Sequence, residues 1–194
     1  MVDGSNGYEE VAEAYIAGRG TGGIIGASVV REWAQTLPRG GSVLDLGCGT
    51  GAPISQVLVD CGLSVYGVDA SARMLAAFRA RFPAAPAECS TVEASPFFNR
   101  TFDAVVAWGL LFLLAPAAQA LVIGKVANAL NPGGQFLFTS PPQPFEWSDA
   151  MTGQTSVSLG AEGYARLLRA AGLTLVSERE DEGENHYYLS VKGS

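Results

Sequence analysis

The spacing of apolar residues along the chain changes period several times. From Ser42 onward, short runs rich in Val, Leu, Tyr and Phe alternate with longer stretches in which apolar residues recur every three or four positions. The runs predict strands over Ser42–Leu46, Ser64–Asp69, Ala87–Cys89, Asp103–Ala107, Gly134–Thr139, Leu173–Glu178 and His186–Val191. The longer stretches predict helices over Pro53–Cys61, Ala72–Phe82, Pro116–Leu130 and Ala161–Ala171. Upstream, a helical pattern covers Tyr8 to Ala17. A joint containing Gly18, Gly20, Gly22 and Gly23 then leads into a second helix that ends near Leu37–Pro38. Strands alternating with helices build βαβ units and a parallel sheet with helices on both faces. Only Asp181 to Glu184 separate the last two strands, too few for a parallel crossover, so these two pair antiparallel. The predicted fold is α/β: a doubly wound, seven-stranded, mostly parallel sheet with an antiparallel C-terminal hairpin strand. It is one domain over 1–194, with a helical cap at 1–38 and the α/β core at 39–194. Residues 140–160 are expected to form a lid or substrate loop, being long for an α/β connection.

Composition narrows the class. A chain of 194 residues, 48% hydrophobic and 16% charged, is a folded domain with one sizeable core. Twelve Lys+Arg against 19 Asp+Glu leave a net charge of -7. The only lysines are Lys125 and Lys192 and the arginines are scattered, so no basic stripe exists for nucleic acid. Cys48, Cys61 and Cys89 are odd in number and lack CxxC spacing, which fits a reducing compartment and opposes a disulfide framework or thiolate zinc site. No His/Asp/Glu group has ligand spacing, so no metal is expected. Met1 to Gly7 carry no basic segment leading into an apolar one, and the apolar run Ala104–Ala118 is broken by Gly109 and Pro116. A cytoplasmic protein without a membrane partner is the expectation.

In doubly wound sheets, ligands bind beyond the carboxyl ends of the strands. The loops there are 47–51, 69–71, 90–98, 108–114, 140–160 and 181–185. The first follows the string Val43-Leu44-Asp45-Leu46-Gly47-Cys48-Gly49-Thr50-Gly51, which runs from an apolar strand toward a helix. Its glycines let backbone approach a ligand without a Cβ in the way. The same string admits a dinucleotide reading, because Gly47, Gly49 and Ala52 fit G-x-G-x-x-G/A and Asp69 is spaced as a ribose-binding acid. Asp45 separates the readings: a carboxylate at that point repels a pyrophosphate and attracts a cation.

The string closely resembles the first motif of the class I S-adenosylmethionine (SAM)-dependent methyltransferases, whose core is Rossmann-like. Val65-Tyr66-Gly67-Val68-Asp69-Ala70-Ser71 resembles their second motif. Thr91-Val92-Glu93-Ala94-Ser95-Pro96-Phe97, followed by Phe102-Asp103-Ala104-Val105-Val106, resembles their adenine loop and fourth strand. Leu130-Asn131-Pro132-Gly133-Gly134 resembles the turn before their fifth strand, and the terminal hairpin also matches. The resemblance covers residues 40 to 140 and implies a methyltransferase with SAM as cofactor and S-adenosylhomocysteine (SAH) as product. It implies cofactor contacts from Asp45, Gly47, Cys48, Gly49 and Gly51, then from Asp69, Ala70 and Met74. Val92, Glu93 and Trp108 complete the far side, and Tyr15 and Arg19 belong to a cap segment over the methionine end. Many members carry an aspartate in the adenine loop where this chain has Thr91, so backbone amides near Val92 and the Glu93 carboxylate take its place in this reading.

Methyl transfer from a sulfonium needs alignment and exclusion of water more than a catalytic triad, with effective molarity supplying roughly 7–11 kcal/mol. A base is required only where the acceptor must lose a proton. His186, the sole histidine, and Tyr15 are the catalytic candidates, although a histidine beside Tyr187 and Tyr188 also reads as a structural edge residue. Phe112, Trp147, Asp149 and Glu184 are the substrate-side candidates. The acids Glu146, Asp149, Asp181, Glu182 and Glu184 hint at an amine-bearing acceptor. A small-molecule acceptor is expected. The alternatives are a protein side-chain methyltransferase, an NAD-dependent oxidoreductase and a catalytically silent SAM-binding domain.

Overall fold

The computed structural model describes residues 4–19 and 25–193. Its main sheet contains β1 (Ser42–Leu46), β2 (Ser64–Asp69), β3 (Ala87–Cys89), β4 (Phe102–Ala107), β5 (Leu130–Thr139), β8 (Leu173–Glu180) and β9 (His186–Lys192). The strands lie in the order β3-β2-β1-β4-β5-β9-β8. The first five are mutually parallel, and β9 inserts antiparallel between β5 and β8. This is the predicted doubly wound sheet with its terminal hairpin. Every residue of β1 is buried, as suits a central parallel strand covered on both faces. The order reverses between β1 and β4, which opens a crevice at their carboxyl ends.

Helices α1 (Ala12–Arg19), α2 (Ala27–Ala34), α3 (Ile54–Asp60), α4 (Ala72–Arg81), α5 (Pro116–Ala129) and α6 (Gly160–Ala170) complete the layers. On one face, Trp33, Leu58, Phe78 and Tyr187 centre a core under α2, α3 and α4. On the other, Phe136, Phe138 and Tyr188 stack at centroid distances of 4.9 and 4.8 Å beneath Tyr164 of α6. No helix among the described residues is long and apolar enough to cross a membrane.

Three elements differ from expectation. The first helix starts at Ala12 rather than Tyr8, because residues 4–11 form turns in which Asn6 adopts a left-handed φ of 54°. The strand predicted at Gly134 begins at Leu130, with Asn131–Gly134 bulged between the Phe102↔Leu130 and Ala104↔Gln135 pairs. Residues 140–160 are not an irregular loop: β6 (Pro144–Ser148) and β7 (Thr155–Leu159) form an antiparallel hairpin. The strand signal was inverted there, since the inward positions are polar. Ser156 and Ser158 are buried, and the Ser158 hydroxyl donates to the Pro141 carbonyl at 2.6 Å.

Candidate functional site

The site is assembled from the ends of β1, β2 and β4. At the turn after β1, the amides of Gly47 and Cys48 donate to the Val68 carbonyl at 2.8 and 3.1 Å, binding the loop to β2. Asp69, the last residue of β2, receives the Gly49 amide on Oδ2 at 2.7 Å and the Ser71 amide on Oδ1 at 2.8 Å. One carboxylate thus fixes the glycine loop against the start of α4. Asp45 lies 2% exposed, and its Oδ2 receives the Ser55 hydroxyl at 2.5 Å. Burial pushes the Asp45 carboxyl up to about 7; the Ser55 bond opposes the rise and the Asp69 charge adds to it. Burial also raises Asp69, against the two amide bonds that stabilise its anion. Among the described residues, neither acid forms an ion pair.

A cavity of about 270 Å³ opens above these acids. Asp45, Gly47, Cys48, Gly49 and Asp69 form its floor. Ala70, Met74, Val92, Glu93 and Trp108 line it as well. At Gly49, with φ 52°, no atom stands within 4 Å of where a Cβ would project, so a side chain there would intrude on ligand space. Gly51 serves another purpose: a Cβ would come within 2.3 Å of Phe82, so this glycine allows close packing against α4 and does not line the cavity. Burial and the nearby acids hold the Cys48 thiol well above its ordinary pKa, which disfavours the thiolate.

The adenine-loop segment is held from beneath by a residue that the sequence reading passed over. Lys125 on α5 donates to the carbonyls of Val92, Glu93 and Ser95 at 2.8, 2.6 and 2.8 Å and sits 4.5 Å from the Phe97 ring centroid. One ammonium therefore sets the path of the loop.

The N-terminal segment closes the opposite side, and Tyr8 and Tyr15 line the cavity with rings in edge contact at 5.9 Å. Glu9 anchors this segment, accepting the Ser71 hydroxyl at 2.6 Å and the Arg73 amide at 3.1 Å at the head of α4. The Tyr8 hydroxyl donates to Asp149 Oδ2 at 3.3 Å, so the N-terminal segment meets the turn of the β6–β7 hairpin over the cavity.

Of the substrate-side candidates, Phe112 and Asp149 line the cavity. Trp147 stands behind Phe112 at 5.3 Å and does not line it. Glu184 is exposed in the β8–β9 turn, and its neighbour Asn185 reaches the cavity instead. His186 is not brought to the site. Along β9 the side chains alternate, and His186 faces away with Nε2 2.9 Å from Glu178 and Nδ1 3.5 Å from Glu180. The side chain of Arg19 lies outside the described residues, as do Gly20, Gly22 and Gly23. Asn6 lines the cavity from outside every motif, while Thr91 and Asn185 line it from the adenine loop and the β8–β9 turn. Asn6 sits in a turn with no motif around it, and its Nδ2 is buried with no hydrogen-bond acceptor among the described residues.

Residues 43–134 match the family model of a methyltransferase domain. The chain is 31% identical over 149 residues to the demethylmenaquinone methyltransferase of Beutenbergia cavernae, covering 72% of this chain and 60% of that protein. It is 33% identical over 108 residues to an uncharacterized methyltransferase of Synechocystis sp., covering 56% of this chain and 50% of that one. Over residues 43–134 the chain thus resembles a methyltransferase domain, and its fold is that of the SAM-dependent methyltransferases. It spans about half the length of the curated relatives it matches. The fold recurs in the SAM-bound amino pentose methyltransferase of Micromonospora echinaspora involved in calicheamicin biosynthesis. That likeness has a TM-score of 0.70 at 19% identity and covers 94% of this chain and 96% of that one. Asp69 ties the glycine loop after β1 to the end of β2.

Proposed function

We propose that this chain is a SAM-dependent methyltransferase that acts on a small-molecule acceptor. The observation that carries this reading is the acid pair on the cavity floor, buried Asp45 and partly buried Asp69, which forms no ion pair among the described residues. A pyrophosphate would place anions against these carboxylates in a desolvated crevice, whereas an ammonium and a sulfonium complement them. In this reading Asp69 takes the ribose hydroxyls, and the loop at Val92 and Glu93 takes the adenine. The glycine loop with Asp45 faces the methionine ammonium, and the orphaned Asn6 amide offers a donor to the methionine carboxylate. When bound, SAM supplies a methyl group already activated on sulfur. The chain's own task is to align an acceptor behind that methyl and to exclude water, which the N-terminal segment and the β6–β7 hairpin do by meeting at Tyr8 and Asp149. In this reading the hairpin serves as the lid and Tyr15 positions the acceptor.

Calorimetric titration with SAM, SAH and NAD tests the assignment, with Asp69→Asn alongside. Micromolar binding of the first two and none of NAD is expected. The variant should bind SAM about 10–100-fold more weakly, the worth of hydrogen bonds to a charged group. Binding of NAD without SAM would overturn the reading in favour of an oxidoreductase.

A further inference from the structure

We propose that the methyl acceptor is an amine, bound as its cation between the Asp149 carboxylate and the aromatic walls of Tyr8, Tyr15, Trp108 and Phe112; this rests on the SAM reading above. The half of the cavity that the cofactor contacts leave over is walled by these residues and Asn185. The Tyr8 hydroxyl donates to Asp149, and the Trp108 indole donates to the Tyr187 hydroxyl at 2.7 Å. Asn185 turns its amide nitrogen to both oxygens of Asp181, at 3.1 and 3.0 Å, which leaves its carbonyl oxygen for a ligand N–H.

Asp149 is held in place by donors to one oxygen only. Its Oδ1 receives the amides of Met151 and Thr152 at 3.0 and 2.8 Å and the Thr152 hydroxyl at 3.0 Å. Its Oδ2 receives only the long 3.3 Å bond from Tyr8, so lone pairs remain. Among the described residues that line the cavity, the charged side chains are Asp45, Asp69, Glu93 and Asp149, with no Lys, Arg or His. A carboxylate or phosphate acceptor would enter beside the Asp149 carboxylate. An ammonium meets a carboxylate and the faces of electron-rich rings, the pairing used to recognise organic cations. The acids also answer the problem of holding two cationic groups, sulfonium and ammonium, in one small cavity.

The chemistry balances with no further reagent. The bound ammonium loses one N–H proton to water at the cavity mouth. The freed nitrogen lone pair forms the N–C bond to the methyl carbon as the C–S bond breaks and its electron pair stays on sulfur. Positive charge thereby passes from sulfur to the methylated nitrogen, beside Asp149.

The test uses three ligands of one skeleton, phenethylamine, 2-phenylethanol and 3-phenylpropionate, titrated into the SAH-saturated protein. The amine is expected to bind at least tenfold more tightly than the other two. Asp149→Asn keeps a carbonyl oxygen for the Met151 and Thr152 amides; it should abolish that preference and leave 2-phenylethanol unchanged. Tyr15→Leu, which leaves the hairpin turn intact, should weaken the amine about threefold and the carboxylate not at all. Equal or tighter binding of the alcohol or carboxylate overturns the proposal, as does undetectable amine binding or an amine preference that survives in both variants. Failure of SAH itself to bind overturns the cofactor reading, and is seen separately in the first titration.

Discussion

Asp45 faces opposing demands from stability and binding. A carboxyl held up to about 7 keeps its proton in the folded protein to a higher pH than in the unfolded chain. Between pH 4 and 7 the folded state therefore binds more protons, and this group's contribution to stability falls as pH rises through that window. Asp103 and Asp181 run the other way. Amide and side-chain donors hold both below the usual carboxylate range, so their contribution is lost only as pH falls through their own titrations. Asp45→Asn, which keeps an acceptor for Ser55, should stabilise the ligand-free protein at pH 7.5 by about 1–2 kcal/mol, a rise in Tm of ~2–8 °C. The same change should weaken SAM at least tenfold. In the unaltered protein a cation should bind with release of a proton, so SAM affinity should be level above pH 8 and decline on acidification below about 7. Calorimetry in buffers of different ionisation enthalpy reads that proton directly. Affinity that is level from pH 5.5 to 8 would remove Asp45 from the ligand's surroundings. The carboxylate's sign was legible from sequence, where it decided against a pyrophosphate. Its raised pKa was not, because that depends on how completely Ser55 and the β1 strand exclude water.

At the scale of elements, the strands and helices with unbroken hydrophobic period were legible to within a few residues, and β1, β2 and β3 to the residue. What escaped was structure whose logic is polar or long-range. The β6–β7 hairpin turns Ser156 and Ser158 inward, and Ser158 joins a network in which Tyr164 bonds Ser140 at 2.7 Å and Gln119 at 2.8 Å, so alternation of apolar residues could not reveal it. His186 follows the same lesson: its place beside the ligand edge was right, but the strand's alternation turned the ring toward Glu178. Lys125 escaped because it lies 30 residues or more from the carbonyls it binds. Lys125→Met keeps the stem over Phe97 and leaves three loop carbonyls without their ammonium. SAM, SAH and adenosine should all bind about tenfold more weakly to this variant, with stability lower by about 1–2 kcal/mol. Loss for SAM with adenosine unaffected would show that the clamp does not govern the adenine end.

For the whole molecule, the cavity is closed by segments that contribute little to the core. The sheet and its two aromatic layers are buried, while residues 4–11 touch the hairpin turn at 149–154 through Tyr8 and Asp149 and touch the head of α4 through Glu9. Few apolar contacts and exposed backbone place such segments at the low end of local stability. A ligand that fills the space beneath them binds the closed arrangement and draws the population toward it. At a hundredfold excess of SAH over its Kd, binding should raise global stability by about 2.7 kcal/mol, or a Tm shift of ~5–11 °C. Hydrogen exchange should divide that gain unevenly. Amides of residues 4–11, of the loops at 47–51 and 91–95, and of 149–154 should slow most through suppressed local opening, while β4 and β5 should slow only by the global increment. Glu9→Gln weakens the anchor at α4 without touching the cavity wall, so it should restore fast exchange at residues 4–11 in the complex and leave 91–95 protected. Uniform slowing across the sheet and both segments would mean that the closed form is already rigid without ligand, and that cap and hairpin act as fixed walls rather than as a gate.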